Sequence, residues 1–265
     1  MSTKQILSIL GVLIVLGLIF AGIASFTSAP APVAGDKSDI LGGTLSASGD
    51  YQYVEDKPYY RITADYPATT GLQAAADTRV RTTIEQGLAG EIAKFKNDSG
   101  LDLLTAEDAR IQGLDGERKY ALDMEYTRYV SSSTISYVYE VYADTLGAHP
   151  NGYYLTYTFG QDGTQLSLGD VLKNNPNWLE ELSLLVSQDI TKQLKERLGA
   201  SLPQGDEGAD VTGSIFAEGL AAKEENFANF AVDGDTLAIF IPPYQVAAYA
   251  AGSFEVRIPL SEINK

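Results

Sequence analysis

The only histidine is His149, set in the turn-rich run Gly147-Ala148-His149-Pro150-Asn151-Gly152. One imidazole could act as a lone general base, although the simpler reading is that it supports the turn before Pro150. Zinc sites built on two or three histidines are excluded for a single chain. With no cysteine there is no thiolate nucleophile and no disulfide framework. The GxSxG elbow, the GxxxxGKS/T phosphate loop and the HExxH helix are all missing from the sequence. Carboxylates are plentiful at 35, and two of them flanking a cleft could hydrolyse a glycosidic bond; their abundance marks no particular pair. Asp233-Gly234-Asp235 lacks the further oxygen ligands of a calcium loop and reads as a hairpin turn. The expectation is therefore no catalytic residue, no metal and no cofactor.

Aromatic residues are the stronger signal. Sixteen tyrosines are present, and their rings stack on sugars and anchor protein interfaces. Tyr129 and Tyr142 fall on the expected solvent face of strands. Tyr244 and Tyr249 fall in a turn-like segment after Pro242-Pro243. The candidate ligand-binding residues are His149, Tyr244 and Tyr249.

Those residues must be positioned by strands and helices whose periods are legible. An extended, tyrosine-rich stretch covers 51–66, with Tyr60, Ile62 and Ala64 alternating against polar neighbours. Leu72, Ala76, Val80, Ile84, Leu88, Ile92 and Phe95 then recur at steps of three or four, predicting a long amphipathic helix over 71–96. Alternation resumes at Tyr120, Leu122, Met124 and Tyr126, turns at 131–133, and returns through Ile135, Tyr137, Tyr139 and Val141, a hairpin. Tyr153, Leu155, Tyr157 and Phe159 form another strand. A second long helix starts after Asn177 and buries Leu182, Val186, Ile190 and Leu194 before Gly199. A polar loop covers 201–213. Three strand candidates close the chain, around Phe230, Leu237–Ile241 and Phe254–Ile258, with Pro259 demanding an edge position.

The N-terminus addresses the chain to a membrane. No charged side chain occurs between Lys4 and Asp36, and residues 6–26 are apolar or small apart from Ser8 and Ser25. About 20 such residues span a hydrocarbon core roughly 30 Å thick. Lys4 on one flank and Asp36 and Asp39 on the other keep the N-terminus cytoplasmic and export the rest. The length of the run favours an uncleaved anchor, although Gly22-Ile23-Ala24 and Thr27-Ser28-Ala29 offer cleavage sites that would release a secreted form. Only Lys4 among the bases precedes the exported part, leaving 35 acids against 18 bases, a formal charge of −17. Such a surface repels nucleic acid and attracts cationic partners.

The segments Gly147-Ala148-His149-Pro150-Asn151, Leu166-Ser167-Leu168-Gly169-Asp170-Val171-Leu172, 227–230 and Pro243-Tyr244-Gln245-Val246-Ala247-Ala248-Tyr249 occur in this order. The C-terminal half thereby resembles the RsiV/PdaC-type extracytoplasmic domain of unknown function, and the preceding unit is similar to its usual companion domain. The resemblance implies a two-part α+β ectodomain in the cell envelope that receives a lysozyme-like hydrolase or accompanies a wall-modifying enzyme. Only five residues precede the apolar run and the chain stops at Lys265, so neither a sigma-binding segment nor a deacetylase domain is expected, and no catalytic residue is carried over.

The expected architecture is α+β: an N-terminal transmembrane helix, then a two-part ectodomain with mainly antiparallel sheets, each packed by one long helix. Residues 1–27 are the membrane anchor or signal, 28–49 a linker, 50–146 the companion domain and 147–265 the C-terminal domain. The expected function is a membrane-anchored envelope ligand-binding module, with the membrane contacted through residues 6–26 and a cationic, lysozyme-like protein as partner. The alternatives are binding of peptidoglycan, a small carboxylate-dependent envelope hydrolase, or a structural accessory subunit.

Overall fold

The computed structural model describes residues 40–114, 118–199 and 215–263, all within the unit Ala31–Lys265. The expected anchor at 6–26, the linker up to residue 39 and the 201–213 loop lie outside the described residues. Among the described residues no helix is long and apolar enough to cross a membrane.

Six strands build the first sheet in chain order: β1 (Thr44–Leu45), β2 (Tyr51–Asp56), β3 (Tyr60–Tyr66), β4 (Tyr120–Val130), β5 (Thr134–Asp144) and β6 (Asn151–Gly160). The extended stretch 51–66 is thus two strands rather than one. Pro58 cannot donate to a ladder, and the chain turns there, with Lys57 N–H bonded to the Tyr60 carbonyl at 2.9 Å. Among the described strands only β3 and β4 pair in parallel, because the helix α1 (Ala74–Asp98) carries the chain back between them. The predicted helix face is the buried one: Ala76, Val80, Ile84, Leu88, Ile92 and Phe95 are all under cover. It packs on Ile62, Ala64, Tyr66, Leu122, Met124, Tyr137 and Tyr139.

The strand β6, which follows residue 146, pairs with β5 through ten registered positions, from Thr134↔Gly160 to Ala143↔Asn151. Phe159 belongs to the α1-side core, and Tyr153, Leu155 and Tyr157 pack against it. At Gly87 of α1 the Tyr157 hydroxyl occupies the space a Cβ would need, so the missing side chain is what brings helix and strand together.

A second, antiparallel sheet contains β7 (Phe230–Asp233), β8 (Thr236–Ile241) and β9 (Phe254–Pro259). Asp233-Gly234-Asp235 makes the β7–β8 hairpin turn, with Gly234 in the left-handed region at φ 61°. Pro259 ends the edge strand β9, as the sequence demands. The helix α4 (Trp178–Gly199) covers one face of this sheet, burying Leu182, Val186, Ile190 and Leu194 against Val232, Leu237, Ile239, Ile241 and Val256. Three short α-helices are found besides these among the described residues: α2 (Ala106–Ile111), α3 (Leu168–Val171) and α5 (Leu260–Ile263). The first two open with capping boxes, Thr105–Asp108 and Ser167–Asp170.

The two sheets meet through Val138, Ala231, Ala238 and Phe240, flanked by Tyr129 and Tyr154. The order of layers is therefore α1, first sheet, second sheet, α4. Strand β7 runs across its neighbours: Phe230 N–H meets Thr156 of β6, Val232 N–H meets Ser136 of β5, and Gly234 N–H meets Val130 of β4. These contacts satisfy the N–H groups that point away from β8. Ser136 Oγ accepts from Val232 N–H at 3.2 Å and from the Thr158 hydroxyl at 2.9 Å, all of it buried. Ser136→Ala strands a buried N–H, which costs about 1–3 kcal/mol. Chemical denaturation is expected to show a lower midpoint at an unchanged slope.

Candidate functional site

Three rings converge where β6 begins. His149 sits in the connection from β5 to β6, which is shaped by Asp144, whose Oδ1 accepts from Leu146 N–H at 2.7 Å. Tyr244 and Tyr249 come from the loop after β8. That loop is fastened from beneath: Gln245 Nε2 donates to the carbonyls of Gly219 and Asn226 at 3.0 and 2.8 Å, and Val246 and Ala247 are buried. At its far end Arg197 of α4 donates to the carbonyls of Ala251 and Ser253.

The His149 and Tyr249 rings stack, with centroids 3.9 Å apart and planes 18° from parallel. Tyr244 leans on both, at 5.9 Å from His149 and 5.2 Å from Tyr249. His149 Nδ1 lies 3.0 Å from the Pro150 carbonyl, which can only accept, so Nδ1 carries the proton. In the neutral imidazole Nε2 is then the acceptor for the Tyr244 hydroxyl at 3.0 Å. The Pro150 carbonyl also accepts from the Tyr249 hydroxyl at 3.0 Å. Tyr244 adopts φ 71°, a conformation that costs a non-glycine residue about 1 kcal/mol or more. It is nevertheless 54% exposed, so the strain presents a ring to solvent.

Beside the rings lies the part of the first sheet that β7–β9 leave open. Tyr142, 45% exposed, stands opposite Asp123, and Glu140 stands opposite Glu125 on the same face. The Tyr142 hydroxyl titrates above its ordinary range, through partial burial first and then Asp144, Asp123 and Tyr249. Glu140 is also raised, by burial first and then by Glu125 and Glu255. The nearby bases are engaged: Arg257 pairs with Glu255 at 2.8 Å and with Asp233, and Arg61 lies 3.6 Å from Asp56. The surface is therefore an aromatic wall beside an acidic floor, suited to stacking and to holding positive charge.

His149, Tyr244 and Tyr249, the three candidates read from the sequence, are thus in mutual contact. Tyr142 joins them as expected from strand alternation. Tyr129 is only partly exposed; it packs on Phe240 at 6.0 Å between ring centroids, because the second sheet covers part of that end of β4. Glu125 and Glu140 were not singled out by the sequence, since their opposition depends on register. Among the described residues no group of acids, histidines or cysteines could hold a metal. A groove of about 310 Å³ lies elsewhere, between α4 and β9, lined by Leu185, Asp189, Lys192, Arg257 and Pro259.

Residues 169–261 match the family model described as "Protein of unknown function (DUF3298)". The C-terminal part carries a DUF3298 domain. That domain supplies Tyr244 and Tyr249 but not His149, Tyr142 or the acidic residues of β4 and β5, so the site joins the DUF3298 segment to the residues before it. The chain is 29% identical over 182 residues to the peptidoglycan-N-acetylmuramic acid deacetylase PdaC of Bacillus subtilis, covering 63% of this chain and 36% of that protein. It spans little more than a third of that relative. Two solved DUF3298 structures align with a TM-score of 0.45 each. The one from Bacteroides fragilis is 16% identical and covers 80% of this chain and 89% of its own. The one from Pseudomonas aeruginosa is 14% identical and covers 81% and 90%.

The electrostatics make a test of the acidic floor. Because the Glu140 carboxyl titrates higher in the fold than its ordinary 4.5, its ionised form opposes folding at neutral pH, and the penalty vanishes as pH falls below that ordinary value. Glu140→Gln is expected to raise stability at pH 7 by a few tenths of a kcal/mol. Thermal melts of the two proteins should converge as pH drops through the carboxylate range.

Proposed function

We propose that this protein is a non-catalytic, envelope-facing binding module, anchored through residues 6–26, that captures a cationic, lysozyme-like hydrolase. The observation that carries the reading is the pairing of an exposed, strained ring, Tyr244, with an acidic sheet face in which Glu125 and Glu140 stand directly opposite one another. Two carboxylates in that position repel until a cation sits over them. Exposed tyrosines at the rim supply the apolar anchor that charge alone lacks. The formal charge of −17 on the exported part would steer such a partner in. Similarity to PdaC over residues of this chain supports the envelope setting.

A wall-glycan ligand is the second reading, favoured by the stacked His149–Tyr249 pair beside Tyr244, a stacking platform for sugar rings. A carboxylate hydrolase would need its acids across a cleft, whereas Glu125 and Glu140 are neighbours on one sheet face. A structural accessory subunit is the least specific alternative.

Calorimetric titration of residues 31–265 with a basic lysozyme, at low and high salt, tests the first reading. Saturable heat that weakens steeply with salt is expected, and Glu125→Gln combined with Tyr244→Ala should lower affinity at least tenfold. An affinity indifferent to salt, or no heat, overturns it. Heat with soluble peptidoglycan fragments instead, lost in Tyr244→Ala, would establish the glycan reading.

A further inference from the structure

The groove between α4 and β9 lies away from the aromatic site, and its volume of about 310 Å³ is that of a small-ligand pocket. One wall is α4, with Leu185, Gln188 and Lys192. The other is the main chain of β9, and Glu262 of α5 belongs to the lining too. The two walls run in opposite directions. Gln193 bonds the Glu255 carbonyl and Arg197 the Ser253 carbonyl, so the last turns of α4 lie beside the start of β9. Asn175, just before α4, bonds the Ile263 carbonyl beyond the end of β9. Lys192 therefore stands at the Glu255 end of the groove and Glu262 at the Pro259 end.

Strand β9 is an edge strand, and its bonds show which groups look into the groove. Leu260 N–H bonds the Asp235 carbonyl just before β8, so even-numbered residues bond β8 and odd-numbered ones direct their N–H and C=O groups outward. Edge groups are normally covered. Here Gln193 takes the Glu255 carbonyl, and Pro259 has no N–H. Between them the N–H and C=O of Arg257 have no hydrogen-bond partner among the described residues. The side chain of Arg257 is on the face away from α4, paired with Asp233 and Glu255, whereas Val256 and Ile258 turn toward α4. Asp189 accepts from Gln193 Nε2 at 2.6 Å. Lys192 and Glu262 are exposed and have no ion pair among the described residues.

We propose that this groove binds a free dipeptide with an apolar first residue, laid antiparallel beside Arg257. The second residue of the ligand stands opposite Arg257. Its N–H donates to the Arg257 carbonyl and its carboxylate accepts from the Arg257 N–H, the two bonds that such a pair exchanges. That carboxylate lies toward Lys192, and the ammonium of the first residue lies toward Glu262, so each charged end of the ligand meets its opposite. The first residue stands opposite Ile258 and turns its side chain the same way, onto Leu185. The second side chain follows that of Arg257 away from α4 and is left unspecified. A longer strand would run into the Gln193 amide at one end and find no donor at Pro259 at the other. The site is independent of the surface assigned to a lysozyme-like partner.

The test is calorimetric titration of the full-length chain, in mild detergent, with leucylalanine. Saturable binding with a dissociation constant of about 1 mM or tighter is expected. Lys192→Gln and Glu262→Gln replace exposed, unpaired side chains, so circular dichroism should not change. Each is expected to weaken binding about three- to tenfold. Amidating the carboxylate or acetylating the ammonium of the dipeptide should do the same. Leucylproline, which lacks the N–H meant for the Arg257 carbonyl, should bind at least about tenfold more weakly. No saturation by about 10 mM leucylalanine overturns the proposal. Binding that either variant leaves unchanged places the peptide elsewhere and overturns it equally. A doubly capped dipeptide or leucylproline that binds as well as leucylalanine overturns it too, since neither can make the contacts named.

Discussion

Among the described residues no strand completes the outer edge of β7, and the molecule depends on how that edge is satisfied. Its N–H groups at Phe230, Val232 and Gly234 find Thr156, Ser136 and the Val130 carbonyl in turn. A buried donor without a partner is expensive, so these contacts fix both the position of the second sheet and the way it crosses the first. The apolar part of the interface is small, with Val138, Ala231, Ala238 and Phe240 at its centre. Alanines at 231 and 238 let the sheets approach closely enough for hydroxyls to reach the backbone. The larger cores lie on the outer faces, under α1 and α4, and could form without specifying how the halves meet.

That crossing also creates the site. Because β7–β9 cover only one end of the first sheet, Glu125, Glu140 and Tyr142 remain on an open face. The same placement brings the loop after β8 to the start of β6, where Tyr244 and Tyr249 meet His149. Glu255 belongs to the second sheet yet raises the carboxyl of Glu140 in the first, so the electrostatics of the floor are shared between the two.

Local periodicity made much of this readable. The α1 face was legible because seven apolar residues at helical spacing have no other use, and the β4–β5 hairpin because its alternation reverses across 131–133. Long-range pairing was not. Nothing local to 151–160 says that it completes a sheet begun a hundred residues earlier, since backbone pairing leaves no mark on side-chain period. The break at Pro58 was hidden by strand-like tyrosines on both sides. His149, Tyr244 and Tyr249 stood out by type and by their turn-like surroundings, but their contact spans 95 residues of chain. The opposition of Glu125 and Glu140 required a register that only the folded sheet supplies.

The placement of β6 bears on the order in which the molecule can assemble. Synthesis delivers the N-terminus first, so α1 and strands β2 to β5 exist before residue 151 does. In that interval Tyr137 and Tyr139 sit on an outermost strand, with the hydrogen-bonding edge of β5 bare. Strand β6 closes that edge as soon as it emerges, and only then do Thr156 and Thr158 stand ready for a strand some 70 residues further on. A nascent chain stalled before β6 would be a sticky intermediate, and one stalled after it a nearly finished half. The chain thus carries a vulnerable stage in its own biogenesis, bracketed by two short stretches of sequence.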